Sequence, residues 1–169
     1  MARFARVDLP QRSLLEPLYG KAGFADAFAI ELPSNARGEA KGLAAHILKG
    51  QARWVGWLVA LRDALVLRFG LKTSAALRYD GAVDRIDFFR VYNRCRREII
   101  LGEGDRHLDF RLSFLVEECD LRRRLVATAA VTFNHLGGRA YIGAIAPFHR
   151  LIVKSSLHRA ERSGWPSEL

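Results

Sequence analysis

The feature that most constrains this chain is an alternation of apolar and polar residues over positions 104–116. Apolar side chains occupy every second position, at Leu108, Phe110, Leu112, Phe114 and Val116. The positions between them are polar, at His107, Asp109, Arg111 and Ser113. Successive side chains of a β-strand point to opposite faces, so this period predicts one strand, about 33 Å long, in a sheet with one buried face.

Further alternating segments predict an antiparallel sheet around this strand. In chain order the predicted strands are Ile86–Asn93, Arg97–Leu101, His107–Val116 and Arg124–Phe133. The connections between them are short, with turn-forming residues at Gly102–Asp105 and Glu118–Asp120. Consecutive strands with such connections form an antiparallel meander.

The segments before the meander predict one strand and two helices. Phe24–Leu32 is apolar and stops before a proline, which is typical of a strand. Asn35–Leu48 is expected to be helical toward its end. Ala52–Phe69 carries an apolar stripe at spacings of three and four and is followed by Gly70, as expected of a capped helix.

The end of the chain predicts a long helix at Arg139–Arg162, because apolar residues recur there at helical spacing. Pro147 is expected to kink this helix, or to divide it in two, near positions 144–147. The whole pattern is typical of the α+β class.

The length of 169 residues suits one domain, and half of the residues are hydrophobic. We expect an N-terminal arm at 1–22, a single domain at 23–162 and a tail at 163–169. Cys95 and Cys119 lack metal-ligand spacing and are too few for a disulfide framework. With no apolar leader and no run long enough to span a membrane, we expect a cytoplasmic protein.

The formal net charge of +9 raises the question of a polyanion partner. The arginines are spread along the chain, and only Arg94, Arg96 and Arg97, and then Arg122, Arg123 and Arg124, form tight clusters. Both clusters lie at predicted strand ends, where solvated hairpin ends are the simpler interpretation. Nucleic acid is therefore not the favoured partner.

Three short motifs stand out: Gly-Asp-Arg-His-Leu-Asp-Phe-Arg at 104–111, Phe-Gly-Leu-Lys-Thr at 69–73 and Pro-Phe-His-Arg at 147–150. Together they resemble a bacterial family of unknown function, DUF2867, and the resemblance covers about 24–160. The motif positions are Asp105, His107, Asp109, Arg111, Pro147, Phe148, His149 and Arg150. The family has no established reaction, so the resemblance informs the fold more than the function.

The order of the predicted elements also resembles the START-related (SRPBCC) helix-grip folds. The resemblance implies a curved antiparallel sheet wrapped on the long C-terminal helix, with a cavity between them. Residues of the sheet and helices would line this cavity, at Trp57, Leu61, Phe110, Leu112, Phe114, Ala129, Val131, Tyr141, Ile145 and Phe148. The simpler interpretation of these aromatic and aliphatic side chains is an ordinary core.

The candidates for acid–base chemistry are His107, Asp109 and His149. His107 and Asp109 share one face of a strand, where a carboxylate beside an imidazole is a plausible proton-transfer pair. The alternative is that this polar row faces water. His149 and Arg150 are adjacent on a helix, about 100° apart, so at most one is expected to point inward.

These observations favour a binding module for a small hydrophobic or amphipathic molecule, held between the sheet and the C-terminal helix. A cyclase- or dehydratase-like enzyme built on the same cavity is the second hypothesis, and a polyanion-binding or interaction protein is the third. No phosphate-binding loop, dinucleotide fingerprint or metal-ligand spacing occurs, so no cofactor and no metal are expected.

Overall fold

The structure is a computed structural model, and it describes residues 4–36, 38–49, 84–87, 89–104, 108–119, 122–133 and 138–166. The elements of this part of the chain are β1 (Phe4–Val7), α1 (Glu16–Tyr19), β2 (Phe24–Leu32), α2 (Ala40–Leu48), β3 (Arg85–Ile86), β4 (Phe89–Arg94), β5 (Glu98–Gly104), β6 (Leu108–Cys119), β7 (Arg122–Phe133) and α3 (Gly138–Arg162). The helix predicted at Ala52–Phe69 lies outside the described residues.

The strands form one antiparallel sheet with the order β1-β2-β7-β6-β5-β4-β3. Its centre is the pair β6 and β7, which are in register from Leu108 opposite Phe133 to Cys119 opposite Arg122. β2 pairs with the other edge of β7. The predicted α+β class and the antiparallel meander are therefore confirmed.

The connection between β5 and β6 begins later than predicted. Gly102 and Gly104 both belong to β5, so the prediction of a turn that starts at Gly102 is wrong. Gly102 is required for another reason: a methyl group added to it would overlap the main-chain oxygen of Phe110. The glycine allows a close approach of neighbouring strands instead of forming a turn.

The main core lies on one side of the sheet, which we call the inner face. Alternate residues of β2, β5, β6 and β7 point into it, and the helices cover them with Leu43 and Ile47 of α2 and with Leu157 and Ala160 of α3. The apolar residues of the opening motif, Leu112 and Phe114 among them, belong to this core.

The opposite side, which we call the outer face, is covered by the N-terminal arm. Leu15 is buried there with Ile100 and Ala130, and Tyr19 packs beside them. The arm also supplies β1, an edge strand that pairs with β2. Because the arm covers this face, Ser113 of the predicted solvent-facing polar row is completely buried. The expectation that the row faces water is wrong at this position.

The C-terminal helix is undivided, because α3 continues through Pro147 as one element. Of the two alternatives predicted at this proline, a division into two helices does not occur. After the helix, Trp165 packs against the main core, with its ring centroid 5.8 Å from that of His46.

Candidate functional site

A carboxylate lies within the mainly apolar inner face. Asp26 is directly opposite Ala129 of β7, and Ala129 belongs to the main core. The Asp26 side chain has no exposed surface. Neither of its carboxylate oxygens has a hydrogen-bond partner among the described residues. A buried charge without hydrogen bonds is costly, so this position calls for a functional explanation.

Two side chains of α3 face this carboxylate. His149 Nε2 lies 3.4 Å from Asp26 Oδ1, and Arg150 Nε lies 3.5 Å from Asp26 Oδ2. These distances allow electrostatic attraction, whereas strong charge-assisted hydrogen bonds measure about 2.7–2.9 Å. His149 Nε2 is itself buried, with no hydrogen-bond partner in the described part of the chain. We call Asp26, His149 and Arg150 the Asp26 cluster.

The three side chains differ in their access to solvent. Asp26 is completely buried, the His149 side chain is 19% exposed, and the Arg150 side chain is 45% exposed. Phe24 contacts the histidine edge-on, with ring centroids 6.0 Å apart and an interplanar angle of 90°. The cluster therefore forms a gradient from a buried carboxylate to a half-exposed guanidinium.

The expectation that at most one of His149 and Arg150 points inward is wrong. Both contact Asp26, because the flexible arginine side chain reaches back toward the sheet while its end remains half-exposed. Asp26 itself was not among the predicted site residues. Its position in the sequence carries a signal, since it falls on the same alternate positions as Phe24, Phe28 and Ile30.

The two catalytic candidates that the structure describes, Asp109 and His149, do not come together. Asp109 is on the outer face and forms an ion pair with Arg111. The Arg111 guanidinium carbon lies 3.5 Å from the centroid of the Tyr92 ring, a cation–π contact. His149 is on the inner face, and His107 lies outside the described residues. Asp109 and His149 therefore belong to different surfaces.

Five of the predicted cavity residues share the inner face, at Phe110, Leu112, Phe114, Ala129 and Val131. Leu112 and Ala129 continue the row of Asp26 across the sheet, and Val131 and Phe110 continue the row of Phe24. Tyr141, Ile145 and Phe148 lie in α3, and Trp57 and Leu61 lie outside the described residues. Where the predicted residues can be compared, they lie on the same face of the sheet as Asp26.

A second buried carboxylate, Glu98, lies on the outer face. Ser13 Oγ and Ser113 Oγ each donate to its Oε1 at 2.5 Å, and the backbone N–H of Leu14 donates to its Oε2 at 2.7 Å. Glu98 thus fastens the arm to the sheet. Both carboxylate oxygens of Glu98 accept hydrogen bonds, whereas those of Asp26 accept none among the described residues. This difference indicates a structural role for Glu98.

Tyr19, which lies close to Glu98, has a hydroxyl with a raised pKa. Burial raises the pKa of Tyr19 above its usual 10.0; the Ser13 hydroxyl opposes the rise and the charge of Glu98 adds to it. The hydroxyls of Ser13 and Thr128 lie close enough to the Tyr19 hydroxyl to lower its pKa, but among the described residues neither forms a hydrogen bond of good geometry with it. The neutral form of Tyr19 is therefore the form that suits the fold.

The two arginine clusters lie at the same end of the sheet, but acidic residues pair with most of their members. The pairs are Arg94 with Asp84 at 3.0 Å, Arg122 with Glu31 at 3.7 Å, Arg123 with Glu118 at 3.3 Å and Arg124 with Glu117 at 2.7 Å. These pairings neutralise most of the local charge, so this end offers little attraction to a polyanion.

Two other types of site receive no support from the described part of the chain. Its His, Cys, Asp and Glu side chains form no group of three that could hold a metal ion. An open groove of about 920 Å³ borders the arm on the outer face, but its charges have both signs, and two of them, Glu117 and Arg124, are paired with each other.

Comparison with known proteins gives one match. A family model described as "Protein of unknown function (DUF2867)" matches residues 18–156. No curated protein and no solved structure matches the chain. Among the helices of the described residues, none has the length and apolar character needed to cross a membrane.

Proposed function

The chain belongs to the DUF2867 family, and we propose that it binds a small amphipathic molecule between the inner face of the sheet and α3. The polar end of the molecule lies at the Asp26 cluster. The observation that carries the proposal is the completely buried Asp26 carboxylate, whose two oxygens lack hydrogen bonds among the described residues.

The cost of burying this carboxylate supports a binding role. Removing a carboxylate from water costs several kcal/mol, which an ion pair offsets only with good geometry and further hydrogen bonds. Contacts of 3.4 and 3.5 Å to His149 and Arg150 offset only part of that cost. A ligand that donates a hydrogen bond to Asp26 would recover the remainder, so the cost becomes binding energy.

The chemistry of the cluster favours a hydroxyl group at this position. A hydroxyl can accept one hydrogen bond and donate another. It can therefore accept from the Nε2–H of His149 and donate to the Asp26 carboxylate, whose Oδ1 atom faces that nitrogen. One ligand group would then satisfy two buried polar side chains.

The surroundings of the cluster support an apolar remainder for the ligand. Phe24 and Phe110 are only half-buried, although they flank the buried Val131 in one row across the sheet. Ala129, the neighbour of Asp26 on β7, has one of the smallest apolar side chains. Apolar walls with a few converging polar groups are typical of ligand sites.

The proposal is tested with octane-1,3-diol as the probe, by isothermal titration calorimetry. We expect the wild type to bind the diol and Asp26→Asn to lose binding, because the amide cannot replace the charged acceptor. Glu31→Gln is the matched control, since Glu31 is a half-exposed carboxylate of the same strand. Native mass spectrometry of gently purified protein should show a bound small molecule in the wild type and the control. Equal binding by wild type and Asp26→Asn would refute the proposal.

A cyclase- or dehydratase-like enzyme is the second candidate, and the approach of His149 Nε2 to Asp26 favours it. A histidine oriented by a carboxylate is a common general base. The test is deuterium exchange at the α-carbons of 2-octanone, followed by NMR. Faster exchange with wild type than with His149→Gln is expected of an enzyme, and equal rates would argue against it.

A further inference from the structure

The half-exposed guanidinium of Arg150 indicates more about the ligand. Asp26 is its only charged partner among the described residues, and the contact is made by Nε. The two terminal nitrogens of a guanidinium carry four further N–H groups. Because the described residues offer these terminal nitrogens no hydrogen-bond partner, Arg150 has unused hydrogen-bonding capacity next to Asp26.

From this geometry we propose that the ligand is an amphipathic hydroxy acid, with a carboxylate bound by Arg150 and a nearby hydroxyl at Asp26 and His149. The inference rests on the proposed function. The planar guanidinium matches a carboxylate through two parallel N–H···O bonds, which a neutral alcohol cannot form.

The charge balance of the cluster sets the conditions for such a ligand. Asp26 and Arg150 cancel each other, so a ligand carboxylate would leave one negative charge in excess. The half-exposed position of the Arg150 side chain lets water screen this excess charge.

The experiment compares 3-hydroxyoctanoate with octane-1,3-diol, which has the same chain and the same hydroxyl. We expect the acid to bind the wild type about tenfold more tightly than the diol, since charge-assisted hydrogen bonds are about twice as strong as neutral ones. Arg150→Gln should remove this advantage. Arg122→Gln, at the far end of the sheet on an exposed arginine, is the control and should leave both affinities unchanged.

The outcomes separate this inference from the proposed function. If acid and diol bind equally, and Arg150→Gln changes neither while Asp26→Asn abolishes both, the acidic ligand is refuted and the binding site stands. If Asp26→Asn binds both probes as the wild type does, the site and the inference both fall. Failure of the wild type to bind the acid at millimolar concentration also overturns the inference.

Discussion

The two buried carboxylates of the sheet predict opposite responses to the same chemical change. Asp26→Asn and Glu98→Gln each replace a carboxylate with an amide of nearly identical shape. Both side chains are buried, Asp26 on the inner face and Glu98 on the outer face. They differ in hydrogen bonding, since Glu98 accepts three hydrogen bonds and Asp26 accepts none among the described residues. The pair therefore separates a structural carboxylate from one kept for binding.

The effect at Glu98 is estimated from its three donors, the hydroxyls of Ser13 and Ser113 and the backbone N–H of Leu14. A hydrogen bond to a charged group contributes about 1 kcal/mol more than one to a neutral group. The three hydrogen bonds therefore contribute about 3 kcal/mol more with a carboxylate than with an amide. The amide recovers part of this difference, because it carries no buried charge. We expect Glu98→Gln to lower the free energy of unfolding by about 2–3 kcal/mol, or the melting temperature by about 4–12 °C.

At Asp26 we expect the cost of desolvation to exceed the attraction between the charges. The attraction between unit charges at about 4 Å is about 1 kcal/mol in water and about 4 kcal/mol at a partly buried site, and the half-exposed Arg150 favours the lower value. The desolvation cost is several kcal/mol. We therefore expect Asp26→Asn to leave the stability unchanged or to raise it by up to about 2 kcal/mol, a gain typical of replaced functional residues.

The assay is urea denaturation at neutral pH, followed by tryptophan fluorescence and by far-ultraviolet circular dichroism. Agreement of the two probes establishes that unfolding is two-state, as the free energies require. The expected result is that Glu98→Gln is at least about 2 kcal/mol less stable than Asp26→Asn. If Asp26→Asn loses as much stability as Glu98→Gln, then Asp26 is a structural ion-pair partner and the reasoning behind the binding site is refuted.

Two further predictions concern local packing and pH. Gly102→Ala should lower the free energy of unfolding by about 1–3 kcal/mol, because its methyl group would overlap the Phe110 main chain. Gly42→Ala should raise it by up to about 1 kcal/mol, because Gly42 is at an exposed helix position with free space around it. Urea denaturation measures both changes. Because the folded-state pKa of Tyr19 is raised, its contribution to stability is present below pH 10.0 and is lost as the pH rises through the folded value. Tyr19→Phe should therefore lose less stability than wild type between pH 9 and pH 11, and identical losses would contradict the assigned cause.

The motif at 104–111 has a structural explanation where it can be followed. Asp109 pairs with Arg111, and Arg111 stacks on Tyr92. A methyl group on Gly104 would lie 2.7 Å from an oxygen of Asp109, so the glycine leaves room for this arrangement. In the motif at 147–150, His149 and Arg150 instead reach the buried Asp26. The motif at 147–150 is therefore the one associated with the candidate site.

The sequence by itself determined the sheet and its two sides. Alternation fixes which residues of a strand share a face, so the sequence alone assigns the apolar row from Phe110 to Val116 to the core. The same rule places Asp26 on the apolar side of β2, but alternation carries no signal that this carboxylate meets two basic side chains. Local periodicity was sufficient because it depends only on neighbouring positions along the chain.

Only the tertiary structure decided what each polar residue contacts. Asp26 lies near the start of the chain and His149 and Arg150 near its end, and the packing of α3 against the sheet brings them together. The same is true of Glu98, whose hydrogen bonds exist because the arm folds over the outer face. Periodicity assigns a side chain to a face, but the element that covers that face is selected by long-range packing, which has no local signature in the sequence.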